Sequence, residues 1–274
     1  MKSKEDTLAI NQQQRFFYNS NITGTHNSLI SQIWSGIRNG PLNGFQKKYK
    51  LRDTMYKQHK LWMGDLSEKK VLDLGCFRGN ALSLYMAKEA RCYVGIDLSE
   101  IAIDDLNEKI QQHKLDNAKA FAIDFLSDDF VEKDFDLIYA FGVLHHFENF
   151  DLLMRRLIYT LKPGGQVISF DPLETSIPIR LLRRLYRPFQ EDKDWEWPFQ
   201  ASTFQHIEQY FHVEELRGIL GKTKYGFLLH FTPFPRKFKN RIIEKQKASD
   251  WRSQSPIEVL NCMQVTMRLK GKGK

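Results

Sequence analysis

Three acids and a pair of histidines stand at or just beyond the ends of apolar runs, where side chains can act on a bound ligand. The stretch Val71-Leu72-Asp73-Leu74-Gly75-Cys76-Phe77-Arg78-Gly79 is a short apolar run followed by a turn with two glycines. A second run, Cys92-Tyr93-Val94-Gly95-Ile96, ends in Asp97, and a third, Phe121-Ala122-Ile123, ends in Asp124. A strand feeding a glycine turn and then a helix brings backbone N–H groups up to a nucleotide-like ligand. An acid about 20 positions on is suited to hold a ribose 2′-hydroxyl, and Asp97 stands 22 positions after Gly75. His145 and His146 follow a fourth run, Phe135 to Phe141. Histidine titrates near neutrality, so either can move a proton. Asp171, after a fifth run, is a further acid–base candidate.

Spacing separates the cofactors. A dinucleotide loop reads G-x-G-x-x-G, whereas Gly75 and Gly79 flank Phe77, a poor fit for NAD or FAD. The loop resembles motif I of the class I S-adenosylmethionine (SAM)-dependent methyltransferases, [DE]-x-G-x-G-x-G, with Phe77 in place of the middle glycine. A bulky residue at positive φ is rare, so Phe77 is expected at an ordinary negative φ. Asp136 through Leu144-His145-His146 resembles motif IV of the same family. The turn Leu161-Lys162-Pro163-Gly164-Gly165, ahead of a strand from Gln166 to Phe170, resembles one common in its small-molecule members. The ordered set covers residues 65–172.

The resemblance implies a site for SAM, with S-adenosylhomocysteine as product and no metal. It implies that backbone at Gly75, Cys76 and Gly79 admits the cofactor's methionine end and that Asp73 favours its ammonium. Asp97, with Leu98 beside it, would hold the ribose, and Asp124 and Phe125 would select adenine. Phe141 and Gly142 would pass the sulfonium. Arg15-Phe16-Phe17-Tyr18 resembles an aromatic entry motif that sets Tyr18 near the sulfonium; a buried helical stripe accounts for the same aromatics equally well. His145, His146 and Asp171 are the candidate bases for a hydroxyl acceptor, with His26 behind them. The alternative for the histidines is structural: one caps the next helix and the other packs on the following insertion.

The elements that must position these residues alternate strand and helix, which predicts an α/β fold with a doubly wound, mostly parallel sheet. The resemblance sets the count at seven strands, the last pair (Phe211 to Leu216 and Cys262 to Leu269) including one antiparallel strand. Helices are predicted from Asn80 to Ala90, from Ile101 to Leu115 with Ser99 as N-cap, and from Leu152 to Leu161. Residues 1–64 read as an N-terminal helical cap, with helices from Gln12 to Tyr18, Ser28 to Arg38 and Asp53 to Met63. Turns at Gly40-Pro41 and Asn43-Gly44 separate them. Residues 65–172 form the cofactor core, 173–209 a cap insertion, and 210–274 the rest of the core with a basic helical insertion.

In the first insertion Arg180, Arg183, Arg184 and Arg187 share one helical face and apolar residues the other. Such a helix either caps the site with its apolar side inward, the favoured reading, or lies on an anionic membrane. Trp195 and Trp197 follow and are candidates to line a substrate pocket.

Composition, 42% hydrophobic and 27% charged over 274 residues, is that of a globular protein. No apolar run approaches a membrane span, and the first residues lack the apolar core of a signal peptide. The three cysteines have no metal-like spacing and imply a reducing cytoplasm. The net charge of +8 is concentrated. Residues 1–60 hold ten Lys and Arg against three acids, and 221–252 nine against two. Basic surface attracts nucleic acid, anionic lipid or acidic substrates, or simply confers solubility. The leading expectation is methyl transfer to a small molecule such as a secondary metabolite, quinone or lipid-like acceptor. An RNA methyltransferase is less favoured, because no RNA-binding module is recognisable and Ala140-Phe141-Gly142-Val143 stands where an N-P-P-[YF] tetrapeptide would methylate amines. A non-catalytic membrane-surface or partner-binding protein on a degenerate scaffold is the third reading. Oligomeric state is not legible.

Overall fold

A computed structural model of the chain describes residues 4–22, 43–189 and 193–272. Seven strands form one sheet in the order β3-β2-β1-β4-β5-β7-β6. They are β1 (Lys70–Leu74), β2 (Cys92–Asp97), β3 (Ala118–Ala122), β4 (Phe135–Phe141), β5 (Leu161–Pro172), β6 (Phe211–Ile219) and β7 (Gln264–Gly271). β7 runs antiparallel to both of its neighbours, and every other pairing is parallel. The chain winds outward from β1 to β3, then returns to pair β4 with β1. That reversal opens a crevice beyond the strand ends, where doubly wound sheets bind ligands.

Helices α4 (Ala81–Glu89), α5 (Glu100–Gln112) and α6 (Phe150–Thr160) connect the parallel strands. Each starts on a side-chain cap. Asn80 accepts from the Leu82 and Ser83 amides, Ser99 from Ala102, and Asn149 from Leu152; such caps are worth about 1 kcal/mol each. β4 has the bounds expected from its apolar run. β3 lies a few residues earlier than its run suggested, leaving Ile123, Asp124 and Phe125 just past the strand. The Lys162–Gly165 turn is a bulge. β4 pairs Phe135 with Leu161 and then Leu137 with Gln166, so the residues between loop out of register.

The N-terminal segment divides into α1 (Lys4–Ile22), α2 (Asn43–Lys48) and α3 (Leu51–Met63). The helix expected from Ser28 to Arg38, the Gly40-Pro41 turn and His26 lie outside the described residues. Asn43-Gly44 opens α2 rather than forming a separate turn. α3 belongs to the core: Trp62 and Met63 pack with Val71, Leu137 and Ile168 of the sheet. Tyr49, Leu51 and Met55 share a smaller cluster with Ile219, Leu220 and Ile243. Ile243 lies on α9 (Arg236–Trp251), which follows a 3-10 stretch, Lys222–Phe231. Asp250 of α9 accepts the backbone amides of Gly221, Lys222 and Thr223, tying that helix to the end of β6.

A buried histidine locks α3 to the sheet. His59 lies 3.0 Å from the Tyr139 hydroxyl through Nδ1 and 2.7 Å from Thr266 Oγ1 through Nε2. Thr266 Oγ1 donates to the Ser169 carbonyl, so its oxygen accepts from His59 Nε2–H and Nδ1 accepts from Tyr139. The imidazole is therefore neutral, and burial pushes its pKa down to about 3 from 6.5. The unfolded chain takes up a proton at pH 6.5 and the folded chain does not, so this group's contribution to stability drains away as pH falls from 6.5 toward 3. Burial raises Asp73 to about 6 from 3.8, which works in the opposite sense over pH 6 to 4. His59→Gln should therefore lose less stability than the parent between pH 6.5 and 4, as measured by urea denaturation at each pH; equal slopes would contradict the neutral imidazole.

Candidate active site

The crevice at the β1–β4 reversal holds an open cavity of about 290 Å³. Its wall includes Leu74 and Gly75 beyond β1, Asp97 and Leu98 beyond β2, Asp124 and Phe125 beyond β3, and Phe141 and Gly142 beyond β4. Tyr18 of α1 and His146 also line it. One cavity thus gathers most of the residues singled out from the sequence.

Three of the expected cofactor residues stand elsewhere. Asp73 is buried and accepts from the Tyr93 hydroxyl at 2.8 Å, so its carboxyl does not reach the cavity. Cys76 is buried with its sulfur against Gly95. Gly79 takes φ +72°, and a Cβ there would come 2.7 Å from Leu106 of α5, so it serves helix packing. These residues shape the loop from behind. Gly75 differs: it faces the cavity at φ +67°, and a Cβ would lie 2.5 Å from Val143.

The expectation for Phe77 is corrected. Its φ is +46°, so the loop keeps a left-handed residue at the position of the missing glycine. The gain that holds it there is visible: Phe77 N donates to Asp97 Oδ2 at 3.0 Å. The ring is 40% exposed at the cavity wall. Asp97 Oδ1 accepts from Ser99 N at 3.0 Å, and each oxygen keeps a second lone pair for a ligand hydroxyl. Burial raises the Asp97 carboxyl, partly offset by these amides. Asp124 is similar: Oδ1 accepts from Leu126 N and Oδ2 from Asn11 Nδ2, each at 2.8 Å, and burial again raises its pKa.

Asn11 and Gln14 are site residues that the sequence reading missed. Both are buried on α1 and line the cavity, and Gln14 Nε2 donates to the His146 carbonyl at 3.3 Å. The signal was present: Asn11, Gln14 and Tyr18 recur at i, i+3 and i+7, a polar stripe on one helical face. Phe16, by contrast, is exposed, so the aromatics there do not form one buried stripe. Outside the cavity, α1 is fastened by Arg15 to Glu100, by Asn19 to Ser99 and Glu100, and by Lys4 to Asp128.

The histidines separate. His146 lines the cavity, and its Nδ1 lies 2.8 Å from the Trp195 carbonyl. A carbonyl only accepts, so Nδ1 carries the proton and Nε2 is the basic nitrogen. His145 is buried outside the cavity lining; its Nδ1 lies 3.0 Å from Asp171 Oδ1, which also accepts the His145 amide at 3.2 Å. Asp171 is fully buried, and burial pushes its carboxyl well above the usual range. The His145–Asp171 pair therefore braces the loop and does not face the cavity. The His145 carbonyl accepts from Trp197 N at 2.7 Å, so both histidines hold the insertion, while Asn149 caps the following helix. Trp195 packs on Phe17, with ring centroids 4.8 Å apart, and neither tryptophan lines the cavity.

Left-handed backbone costs a non-glycine residue about 1–3 kcal/mol. Phe77→Gly should keep or raise the melting temperature, whereas Phe77→Val, β-branched at positive φ, should lower stability by about 1–2 kcal/mol. A fall in melting temperature for Phe77→Gly comparable to that for Phe77→Val would show the ring, not the backbone, to be what matters.

A family model described as "Methyltransferase domain" matches residues 48–230. The chain is 23% identical over 172 residues to demethylmenaquinone methyltransferase of Lactococcus lactis, covering 59% of this chain and 66% of that protein. It is 29% identical over 161 residues to malonyl-[acyl-carrier protein] O-methyltransferase of Haemophilus ducreyi, covering 53% and 58%. The matches thus span between half and two thirds of these relatives. Geranyl diphosphate C-methyltransferase from Streptomyces coelicolor, solved with Mg2+, geranyl diphosphate and S-adenosylhomocysteine, superposes with a TM-score of 0.57 at 12% identity, over 81% of this chain and 80% of that one. The fold, the reversal point and the motif order agree with that match over two thirds of the sequence, and the chain belongs to the methyltransferase-domain family.

Proposed function

We propose that this protein is a SAM-dependent methyltransferase of small molecules, working in the cytoplasm. The observation that carries the reading is one cavity with two half-buried carboxylates, Asp97 and Asp124, at the ends of adjacent strands and Gly75 bare of side chain between them and β4. Each carboxylate keeps acceptor capacity, and the wall between them is apolar: Leu98, Ile123 and Phe125. That donor-seeking, flat-walled arrangement suits an adenosine, with Asp97 accepting from the ribose hydroxyls and Asp124 from the adenine amino group.

SAM supplies a methyl group already activated on a sulfonium. The chain's own task is to orient and to exclude water, which is where proximity gives most of the rate. Gly75 and Gly142 let ligand and backbone approach, and Phe141, stacked on Phe170 at 4.7 Å, gives a rigid apolar wall. α1 closes the other side through Asn11, Gln14 and Tyr18. His146, its Nδ1–H held by Trp195, takes a proton from a hydroxyl acceptor at Nε2, while His145 and Asp171 position it. The unpaired cysteines fit a reducing compartment. The relatives' quinone and acyl-carrier substrates support an acceptor with an apolar, lipid-like body.

Asp97→Ala should weaken SAM and S-adenosylhomocysteine binding by roughly 100-fold in calorimetric titration; unchanged affinity would sink the assignment of the site. His146→Gln should leave SAM binding intact, lower kcat on a hydroxyl acceptor by about 10²–10⁴-fold and abolish the acid limb of its pH profile. An unaltered profile would remove His146 from the chemistry.

A further inference from the structure

Apolar side chains on this surface are not scattered. Of the fifteen large hydrophobic residues exposed among the described residues, eight fall in two short segments. The first is α7 (Ile177–Tyr186), where Ile177, Leu181 and Leu185 are 70, 57 and 73% exposed. Their i, i+4, i+8 spacing makes one outward stripe, flanked by exposed Arg180 and Arg184. The inward apolar side expected of a cap therefore fails for Leu181 and Leu185; instead Arg183 turns inward toward Glu196, 4.0 Å away. The second segment runs from the 3-10 stretch into α9, with Tyr225, Leu228, Phe231, Phe234 and Phe238 exposed, Phe231 by 83%. Between residues 222 and 243 stand six Lys and Arg and no acid.

The two segments leave the sheet at the same edge. β5 and β6 run parallel, flanking β7, and α7 follows the end of β5 as the 3-10 stretch follows the end of β6. Their roots meet on adjacent residues: Thr175 Oγ1 donates to the Leu260 carbonyl and Lys224 Nζ to that of Asn261. The same edge carries the cavity, and the residues following α7 hold the His146 loop through Trp195.

We propose that these two segments form one surface that docks on an anionic lipid bilayer, bringing the mouth of the cavity toward the membrane. An exposed apolar stripe bordered by Arg and Lys, with no acid between, is the pattern of an interfacial helix: side chains enter the acyl boundary while cations meet the headgroups. Nucleic acid would use stacking aromatics beside the basic groups; the second segment has such rings, but the aliphatic stripe of Ile177, Leu181 and Leu185 has none, and a bilayer accommodates both segments. Docking does not depend on methyl transfer. Its consequence, that the acceptor is drawn from the bilayer, rests on the function proposed above.

The test is co-sedimentation of the full chain with vesicles of phosphatidylcholine alone and of phosphatidylcholine mixed with phosphatidylglycerol. The expected result is binding to the mixed vesicles only, weakened by salt. One basic residue near an anionic surface is worth about fivefold in affinity. Arg180→Gln with Arg184→Gln should therefore lose roughly tenfold or more, as should Leu181→Asp with Leu185→Asp, while Phe231→Ser with Phe234→Ser tests the second segment. SAM titration of each variant reports folding and the cofactor site separately, so a failed methyltransferase reading and a failed docking surface give different results. Sedimentation with neither vesicle, unaltered binding by all three variants, preference for single-stranded RNA over vesicles, or a dimer dissolved by the same substitutions would each overturn the proposal.

Discussion

Asp97 accepts backbone amides from two segments at once, Phe77 in the loop after β1 and Ser99 at the start of α5, and the cavity depends on that pair of hydrogen bonds. Without it the left-handed turn at Phe77 has no partner to offset its strain, and the loop loses its link to the end of β2. The amides of Gly75 and Cys76 add a parallel tie to the Ile96 carbonyl, 2.9 and 3.1 Å away. A carboxylate at a strand end thus does structural work before any ligand arrives. The same oxygens retain lone pairs, and under the proposed function loop geometry and ribose recognition would share one group.

Around that point the molecule is built in layers of increasing sequence separation. The parallel strands and their capped helices are local βαβ units. α3 is fixed by His59, which reaches β4 through Tyr139 and β7 through Thr266. α1 is fixed last, by polar bonds to Asp124, to the His146 carbonyl, and to Ser99 and Glu100. Those bonds are part-exposed and polar, whereas α3 is held through a buried histidine and buried apolar side chains. A wall that closes over a cavity and still admits a ligand requires that difference.

The arginines of the first insertion, read from the sequence as one helical face, divide in the structure. Arg183 and Arg187 of the first insertion face the protein, the former toward Glu196 and the latter bonded to the Lys193 carbonyl, while Arg180 and Arg184 face outward with the aliphatic stripe. Charge on one helix is therefore divided between holding the insertion and presenting a surface.

Much of this was legible in the chain. The β1 and β4 runs, the Asn80 and Ser99 caps, the KPGG bulge and the acids after three strands follow from periodicity and turn chemistry, which act within a few residues. The family's motif order added the sheet's reversal and its antiparallel strand. What the sequence could not decide was which partner each polar group would find. Phe77 was expected at negative φ because intrinsic preference is local; a hydrogen bond from its own amide to a carboxylate twenty residues away overrode it. Asp73 looked like a ligand contact until Tyr93 claimed it, His145 looked like a base until Asp171 did, and Asn11 and Gln14 had no assigned place until α1 was seen to line the cavity. Local sequence determines which elements form and where they begin, because propensity and capping are settled within a turn or a strand. Only the tertiary structure decides which buried donor meets which acceptor, because that choice is made between segments far apart in the chain, and burial makes an unmet group costly.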